Sequence, residues 1–282
     1  MPITGEPPTP APVFLSVVAP AHNEAGNAVA LVREVEAAIA PFCAERGEAW
    51  EFVAVDDGST DDTRARLLAL AADRPWLRVI AMTRTPPGRG AGQSAAFHAG
   101  FRAAHGSLIA TLDADLQNDP ADIPRLIDLL GRHRADMVQG DRSRNRRDNL
   151  VRRAGSVVGR RFRGWILGDR VRDTGCSLRV MKREIALALP LEFRGMHRFI
   201  PATASAMGFR VIETPVTHRP RVAGETKYGM GITQRALPGL IDCFAVRWMS
   251  RRRRWTANTE VTPTQGRAEI RPASAAPAGA SR

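Results

Sequence analysis

Short apolar runs alternate with longer stretches of helical periodicity through the first half of the chain. FLSVVA (14–19), EFVAV (51–55), LRVIAM (77–82), SLIATL (107–112) and DMVQG (136–140) read as strands. Between them, segments around 27–46, 61–73, 92–104 and 121–133 repeat their apolar residues with helical spacing. This alternation predicts an α/β fold, an open and mainly parallel sheet with helices on both faces. Ligands of such sheets gather at the carboxyl ends of the strands. Those ends are polar here: PAHNEAGN follows the first strand, DDGSTDDT the second and DADLQNDP the fourth. The three loops converge on one edge and have the placement of a single cleft.

Two later segments combine apolar stripes with arginine. In RRDNLVRRAGSVVGRRFRGWILG (146–168), Val158, Phe162, Trp165 and Ile166 fall on one helical stripe, with Arg152, Arg153, Arg160, Arg161 and Arg163 elsewhere. Such a helix either faces the core with a solvated basic side or lies in a membrane interface with its arginines on headgroup phosphates. In 232–255, Leu237, Leu240, Ile241, Phe244 and Trp248 repeat in the same way, and Arg251, Arg252, Arg253 and Arg254 follow. Residues 1–12 and 256–282 are rich in Pro, Ala, Ser and Thr and read as disordered tails. They bracket an expected catalytic domain over 13–231 and a basic membrane-surface segment over 232–255.

The bulk composition adds one unusual fact. Apolar residues make up 44% of the 282, as in ordinary globular proteins, but the formal net charge is +12. That balance attracts polyanions: nucleic acid, an anionic bilayer or phosphorylated substrates. Two basic amphipathic segments, a single Tyr and no nucleic-acid-binding motif favour the bilayer over nucleic acid. The three cysteines, Cys43, Cys176 and Cys243, are scattered and show no metal-site spacing, which suits a reducing compartment. The start of the chain has no signal-peptide pattern, and no run is long and apolar enough to span a bilayer. The expectation is a cytoplasmic protein held peripherally on the inner face of the cell membrane.

The chemistry concentrates in DADLQ. Asp113 and Asp115 are like charges one residue apart after an apolar strand, and they repel unless a cation lies between them. If the segment is extended, alternate residues project to one side, so Asp113, Asp115 and Gln117 converge on one ion. Their hard oxygen ligands select Mg²⁺ or Mn²⁺, with room left for a diphosphate. The plain alternative is a solvated acidic loop. VDDGSTDDT similarly reads as a turn and helix cap at Ser59 or Asp61, or as a nucleotide site in which Asp56 or Asp57 accepts from a base or ribose. PPGRGAGQ (86–93) fits neither GxGxxG nor the P-loop and reads as a mobile loop beside the donor. His98 reads as structural, and His197 as a neighbour of phosphate rather than a base.

Taken together, VVAPAHNEAGN, VDDGSTDDT, GQSAAFHAGFRAAHGSLIATLDADLQNDP, VQGDRSR, DTGCSLRVMKRE, RGMHRFIPA and GETKYGMG resemble the family 2 glycosyltransferases over roughly residues 14–231. Within that family the polyprenol-phosphate sugar transferases of the dolichyl-phosphate mannosyltransferase type are most similar. The resemblance implies a GT-A fold and metal-dependent, inverting transfer. By its motifs, Pro20, Ala21, Asn23 and Glu24 match the first nucleotide loop, and Asp56 and Asp57 the base and ribose site. Asp113, Asp115 and Gln117 match the metal and diphosphate site, and Asp113 and Ala114 also match nucleotide contacts. Arg142 and Arg144 fall where the family lines its active site; Arg179, Arg198 and Lys227 match positions that hold phosphates. His22 replaces a frequent aromatic, and ETKY stands where many relatives have ESKY.

The expected partners are a nucleotide-diphosphate sugar, a polyprenyl phosphate, an anionic membrane surface touched through Arg160, Arg161, Trp165 and Arg251 to Arg254, and a membrane protein at that surface. A lipid phosphate is already anionic at neutral pH and attacks without a base, whereas a sugar hydroxyl needs one. Two rivals stand beside this reading: transfer to a glycan hydroxyl, and a non-catalytic basic protein that binds membrane or nucleic acid. The second leaves the three acidic strand-end loops without a purpose.

Overall fold

In the computed structural model, which describes residues 12–85, 88–143, 150–220 and 232–254, seven strands form one sheet in the order β3-β2-β1-β4-β6-β5-β7. The five expected strands are present as β1 (Val13–Ala21), β2 (Ala49–Asp56), β3 (Leu77–Ala81), β4 (Leu108–Thr111) and β5 (Met137–Asp141). The four expected helices are α1 (Ala28–Ala44), α2 (Thr63–Ala71), α3 (Gln93–Ala103) and α4 (Asp122–Arg132). Two strands were not anticipated. β6 (Arg179–Lys182) runs antiparallel between β4 and β5, and β7 (Val211–Pro215) pairs parallel with β5 at the edge.

The strands are apolar on both faces, as a covered parallel sheet requires. Leu15, Val17 and Ala19 of β1, with Phe52 and Ala54 of β2, pack into one core beneath α1, α2 and α4. Val18, Val53 and Val55 point the other way, into a second core with Phe97 and Phe101 of α3. α3 lies very close to the sheet, because a Cβ on its Gly100 would come within 2.5 Å of Val18 and 2.9 Å of Val55. The second core also takes residues from α5 (Leu150–Leu167), α6 (Arg183–Ala188), α7 (Ile200–Ala206) and α8 (Ile232–Arg252).

α5 and α8 fall within the two basic amphipathic segments, and their stripes divide. Ile166 of α5 and Cys243 and Val246 of α8 are buried in the second core. Trp165 (78% exposed), Ile241 (61%), Phe244 (57%) and Trp248 (60%) face outward. Thus α8 packs on the second core while most of its apolar stripe stays uncovered. Val158 and Leu237, the other members of those stripes, have side chains outside the described residues, as do Arg152 and Arg153. Residues 1–11 and 255–282, which hold nearly all of both tails, and Arg144, Lys227 and GETKYGMG also lie outside them. The three cysteines are free and buried.

Candidate active site

The topology places one crevice. From β1 the chain passes through α1 to β2, and it enters β4 from α3 on the opposite face, while β1 and β4 pair side by side. A parallel sheet opens a ligand crevice where its winding reverses, here at the carboxyl ends of β1 and β4.

On the β1–β2 side, two loops are zipped together. Pro20 and Ala21 end β1 beside Val55 and Asp56, and the Ala21 carbonyl accepts from the Asp57 N–H at 2.9 Å. Asn23 takes a left-handed backbone (φ 55°); its N–H donates to Ser59 Oγ, and its Oδ1 accepts from the Thr60 N–H at 2.8 Å. The Glu24 N–H donates to Thr63 Oγ1, and the Ala25 N–H to Asp61 Oδ2. Burial would raise the Asp61 carboxyl, yet the hydrogen bonds from Thr63 and Ala25 outweigh it and hold it below the usual range. Asp61 therefore braces the loops.

Asp56 and Asp57 are both buried and both engaged. Asp56 pairs with Arg64 at 2.6 Å and accepts from the Ser59 N–H. Asp57 accepts from the Ala91 and Gly92 N–H groups, each at 2.7 Å, and its carbonyl lies 2.7 Å from His22 Nδ1. The Gly-rich segment expected as a mobile loop is thus clamped at 90–92. Gly90, at φ +62°, is required there, because a Cβ would sit 2.6 Å from the Asp57 carboxylate. Asp56 has no exposed surface, and its Oδ2 already takes both Nε and Nη2 of Arg64; each Asp57 oxygen keeps a second acceptor position beside its one backbone donor.

The DADLQ segment departs from the sequence expectation. It is a turn rather than extended chain, with Leu116 left-handed (φ 62°) and Ala114 and Leu116 buried in the first core. Asp113 accepts from Gln93 Nε2 at 2.6 Å and has a hydrogen bond with Ser177. Asp115 is buried and accepts from the Gln117 N–H at 3.2 Å. The Gln117 amide is turned aside, donating to the Arg219 carbonyl at 3.5 Å. Burial first, then the charge of Asp115, pushes the Asp113 carboxyl above its usual range, with Arg142 and Arg179 countering in part. No three His, Cys, Asp or Glu residues gather around one point among the described residues. A bound divalent cation would therefore rest on two carboxylates, with its other ligands from Gln117, water or a diphosphate. The repelling oxygen pair fits Mg²⁺ or Mn²⁺ on that basis.

The cationic side comes from β5 and β6. Arg142, just past β5, is buried and forked onto Asp173 by Nε (2.9 Å) and Nη2 (3.2 Å). Burial disfavours its charge, and Asp173 more than offsets this. Arg179, the first residue of β6, pairs in register with Thr111 of β4 and Gln139 of β5. It is 2% exposed, and its guanidinium bonds to the Cys176 and His197 carbonyls. No carboxylate pairs with it among the described residues, and its Nε and the Oε1 of Gln139 are buried without partners. Burial pulls the Arg179 pKa down to about 10. Arg198 sits further out, tied to Asp242 of α8 at 2.8 Å.

His197 lies 2.8 Å from Ser94 Oγ through Nδ1. Burial, then the charges of Arg198 and Arg179, push its pKa down to about 3, so it stays neutral. His98 lies 3.9 Å from Glu192 and is not at this edge. Gln93, Ser94, Asp173 and Ser177 were not singled out from the sequence. They sit inside quoted motifs, but their roles arise from contacts across the fold.

With the geometry in place, comparison gives the class. The chain belongs to glycosyl transferase family 2, whose model matches residues 16–187. A dodecaprenyl-phosphate galacturonate synthase of Rhizobium johnstonii is 37% identical over 242 residues, 84% of this chain and 68% of that protein. An undecaprenyl-phosphate 4-deoxy-4-formamido-L-arabinose transferase of Edwardsiella ictaluri is 37% identical over 82% of this chain and 67% of its own length. Among solved structures, a glucosyl-3-phosphoglycerate synthase from Mycobacterium tuberculosis with Mn²⁺, UDP and phosphoglyceric acid superposes with a TM-score of 0.61 at 21% identity, over 84% and 79% of the two chains. A mannosyltransferase from Pyrobaculum calidifontis, with GDP-Man and Mn²⁺, gives 0.52 at 18% identity, over 84% and 69%. The sheet and its flanking helices are the GT-A arrangement.

The raised Asp113 pKa has a definite sign. Its favourable contribution to the metal-free fold is present at low pH and is lost as pH rises through the raised value. Asp113→Asn, which keeps the shape and the oxygen facing Gln93, should melt no lower than the parent, and a few degrees higher, in EDTA at pH 8. Mn²⁺ with UDP should raise the melting temperature of the parent alone. A variant that melts well below the parent in EDTA contradicts the repulsion.

Proposed function

We propose that this chain transfers a sugar from a nucleotide-diphosphate sugar to a polyprenyl phosphate, with Mg²⁺ or Mn²⁺ held by Asp113 and Asp115. The observation that carries the reading is Arg179: a buried guanidinium with no carboxylate partner among the described residues, at the strand start beside the acid pair. A buried charge left in that state suits an anion that arrives as substrate. The named relatives act on dodecaprenyl and undecaprenyl phosphates, which agrees with an anionic acceptor.

The geometry supports the following division of labour. A divalent cation at the acid pair supplies Lewis-acid stabilisation of the leaving nucleoside diphosphate. Asn23, Glu24, Asp56 and Asp57 frame the nucleoside side of the crevice. Arg179 and Arg142 set positive potential beside Asp113, which lets two anionic substrates approach each other. Arg142 is aimed by Asp173, and Gln93 aims Asp113. His197 is neutral and engaged with Ser94, so it is poorly suited to take a proton from a hydroxyl acceptor. A phosphate acceptor has no proton to lose. Arg198 and Lys227 are read as outer phosphate contacts.

The membrane side of this reading rests on α5 and α8. Their Trp165, Ile241, Phe244 and Trp248 are uncovered, and the Arg252 guanidinium lies 5.2 Å from the Trp248 ring centre. Arg253 is turned inward, onto the Ala188 carbonyl, which removes it from the basic patch. No helix among the described residues is long and apolar enough to cross a membrane. An apolar face rimmed by arginine fits a peripheral seat on an anionic bilayer.

Screening labelled nucleotide sugars against undecaprenyl phosphate should yield an organic-extractable, mild-acid-labile product that depends on Mn²⁺ or Mg²⁺. Arg179→Lys keeps the charge but loses the fork, and should lower kcat/KM about 100-fold, or ~2.7 kcal/mol. Label found only in a water-soluble glycan contradicts the acceptor assignment. Changing Trp165 and Trp248 together to Ser should weaken flotation with anionic vesicles; unchanged flotation contradicts the bilayer seat.

A further inference from the structure

Beside the crevice lies a second concavity, of about 520 Å³, lined by Ser143, Arg160, Arg161, Gly164, Arg170 and Arg172. Four arginines thus surround one space. Asp169 also borders it, but its carboxylate is taken by Arg163 through Nε (3.0 Å) and Nη2 (3.2 Å). Arg172 has Glu213 on its backbone N–H. The guanidinium groups of Arg160, Arg161 and Arg170 have no carboxylate partner among the described residues. Four arginines against the single bordering carboxylate of Asp169, itself held by Arg163, raise the local potential for an anion, and guanidinium forks match phosphate oxygens.

Position narrows the ligand. Ser143 follows Arg142, and Arg172 precedes Asp173, so the concavity is walled by chain that leads directly into the Arg142–Asp173 pair. On its other side Arg161 lies one helical turn before Trp165, the most exposed large apolar residue of the described chain. A ligand here has its charge among arginines and an apolar surface beside it, as a lipid-borne phosphate does.

We infer that this concavity binds the phosphate of a lipid at the entrance to the crevice. The shared chemistry is a phosphate group on an apolar chain, drawn either from the acceptor or from an anionic headgroup. The acceptor source rests on the reading under Proposed function; the headgroup source does not.

The test compares Arg160→Gln/Arg161→Gln and Arg170→Gln/Arg172→Gln with the parent chain in vesicle sedimentation. Three vesicles are used: phosphatidylcholine alone, with phosphatidylglycerol added, and with undecaprenyl phosphate added. Both double variants should bind phosphate-bearing vesicles about 10-fold more weakly, while the thermal shift with Mn²⁺ and UDP stays that of the parent. A loss confined to undecaprenyl phosphate assigns the site to the acceptor, and a loss on both anionic vesicles assigns it to headgroups. The inference is overturned if both variants bind the anionic vesicles as the parent does. It is also overturned if they lose oligonucleotide binding and keep vesicle binding. If vesicle binding falls as expected but no nucleotide sugar labels undecaprenyl phosphate, the site stands and the acceptor reading fails.

Discussion

Two carboxylates that repel each other at the end of a buried strand set the terms for the rest of the crevice. Asp113 and Asp115 sit where β4 stops, and the charge of Asp115 adds to burial in raising the Asp113 carboxyl. Around them the fold places a donor on one side, Gln93 at the start of α3, and two buried guanidinium groups on the other. The arginines moderate the repulsion without forming an ion pair with Asp113 among the described residues. The Asp113 carboxyl is thus held above its usual range beside a second acid. That is the state from which a bound cation and diphosphate gain most.

The antiparallel strand makes this possible. Were β6 parallel to β4, Arg179 would lie at the far edge of the sheet. Because it runs the other way, its first residue faces Thr111, next to the acidic turn. The same reversal brings Cys176 and Ser177 under the crevice and lets Gln139 span from β5 to their loop. Charge selection follows from topology: one edge receives acids from β2 and β4 and arginines from β5 and β6. The arginine-lined concavity adjoins that edge through Ser143 and Arg172, and Arg161 in its wall lies one helical turn from the exposed Trp165.

Much of this was legible in the order of residues. β1 to β5 and α1 to α4 lie within a few residues of the expected spans, because both faces of the sheet are covered and each strand is a continuous apolar run. β6 and β7 were not: four residues of RVMK and the half-polar VIETP carry too little periodicity to distinguish strand from loop. The acidic loops were placed at the right edge, but the shape of DADLQ was not. Leu116 turns left-handed to bury its side chain, and this sends the Gln117 amide toward Arg219. Gln93 lies 20 positions from Asp113, and Ser94 lies 103 from His197, so neither contact has a local signature. The outward stripe of α8 was visible as a stripe; that Cys243 and Val246 would anchor the helix instead was not.

The most direct measurement is a crystal soaked with Mn²⁺ and UDP, read by anomalous scattering. One manganese peak is expected between the Asp113 and Asp115 carboxylates, next to the diphosphate, with the Arg179 side chain beside the phosphate-binding space. Nucleotide bound in the crevice with those two side chains turned apart and no anomalous peak between them would contradict it.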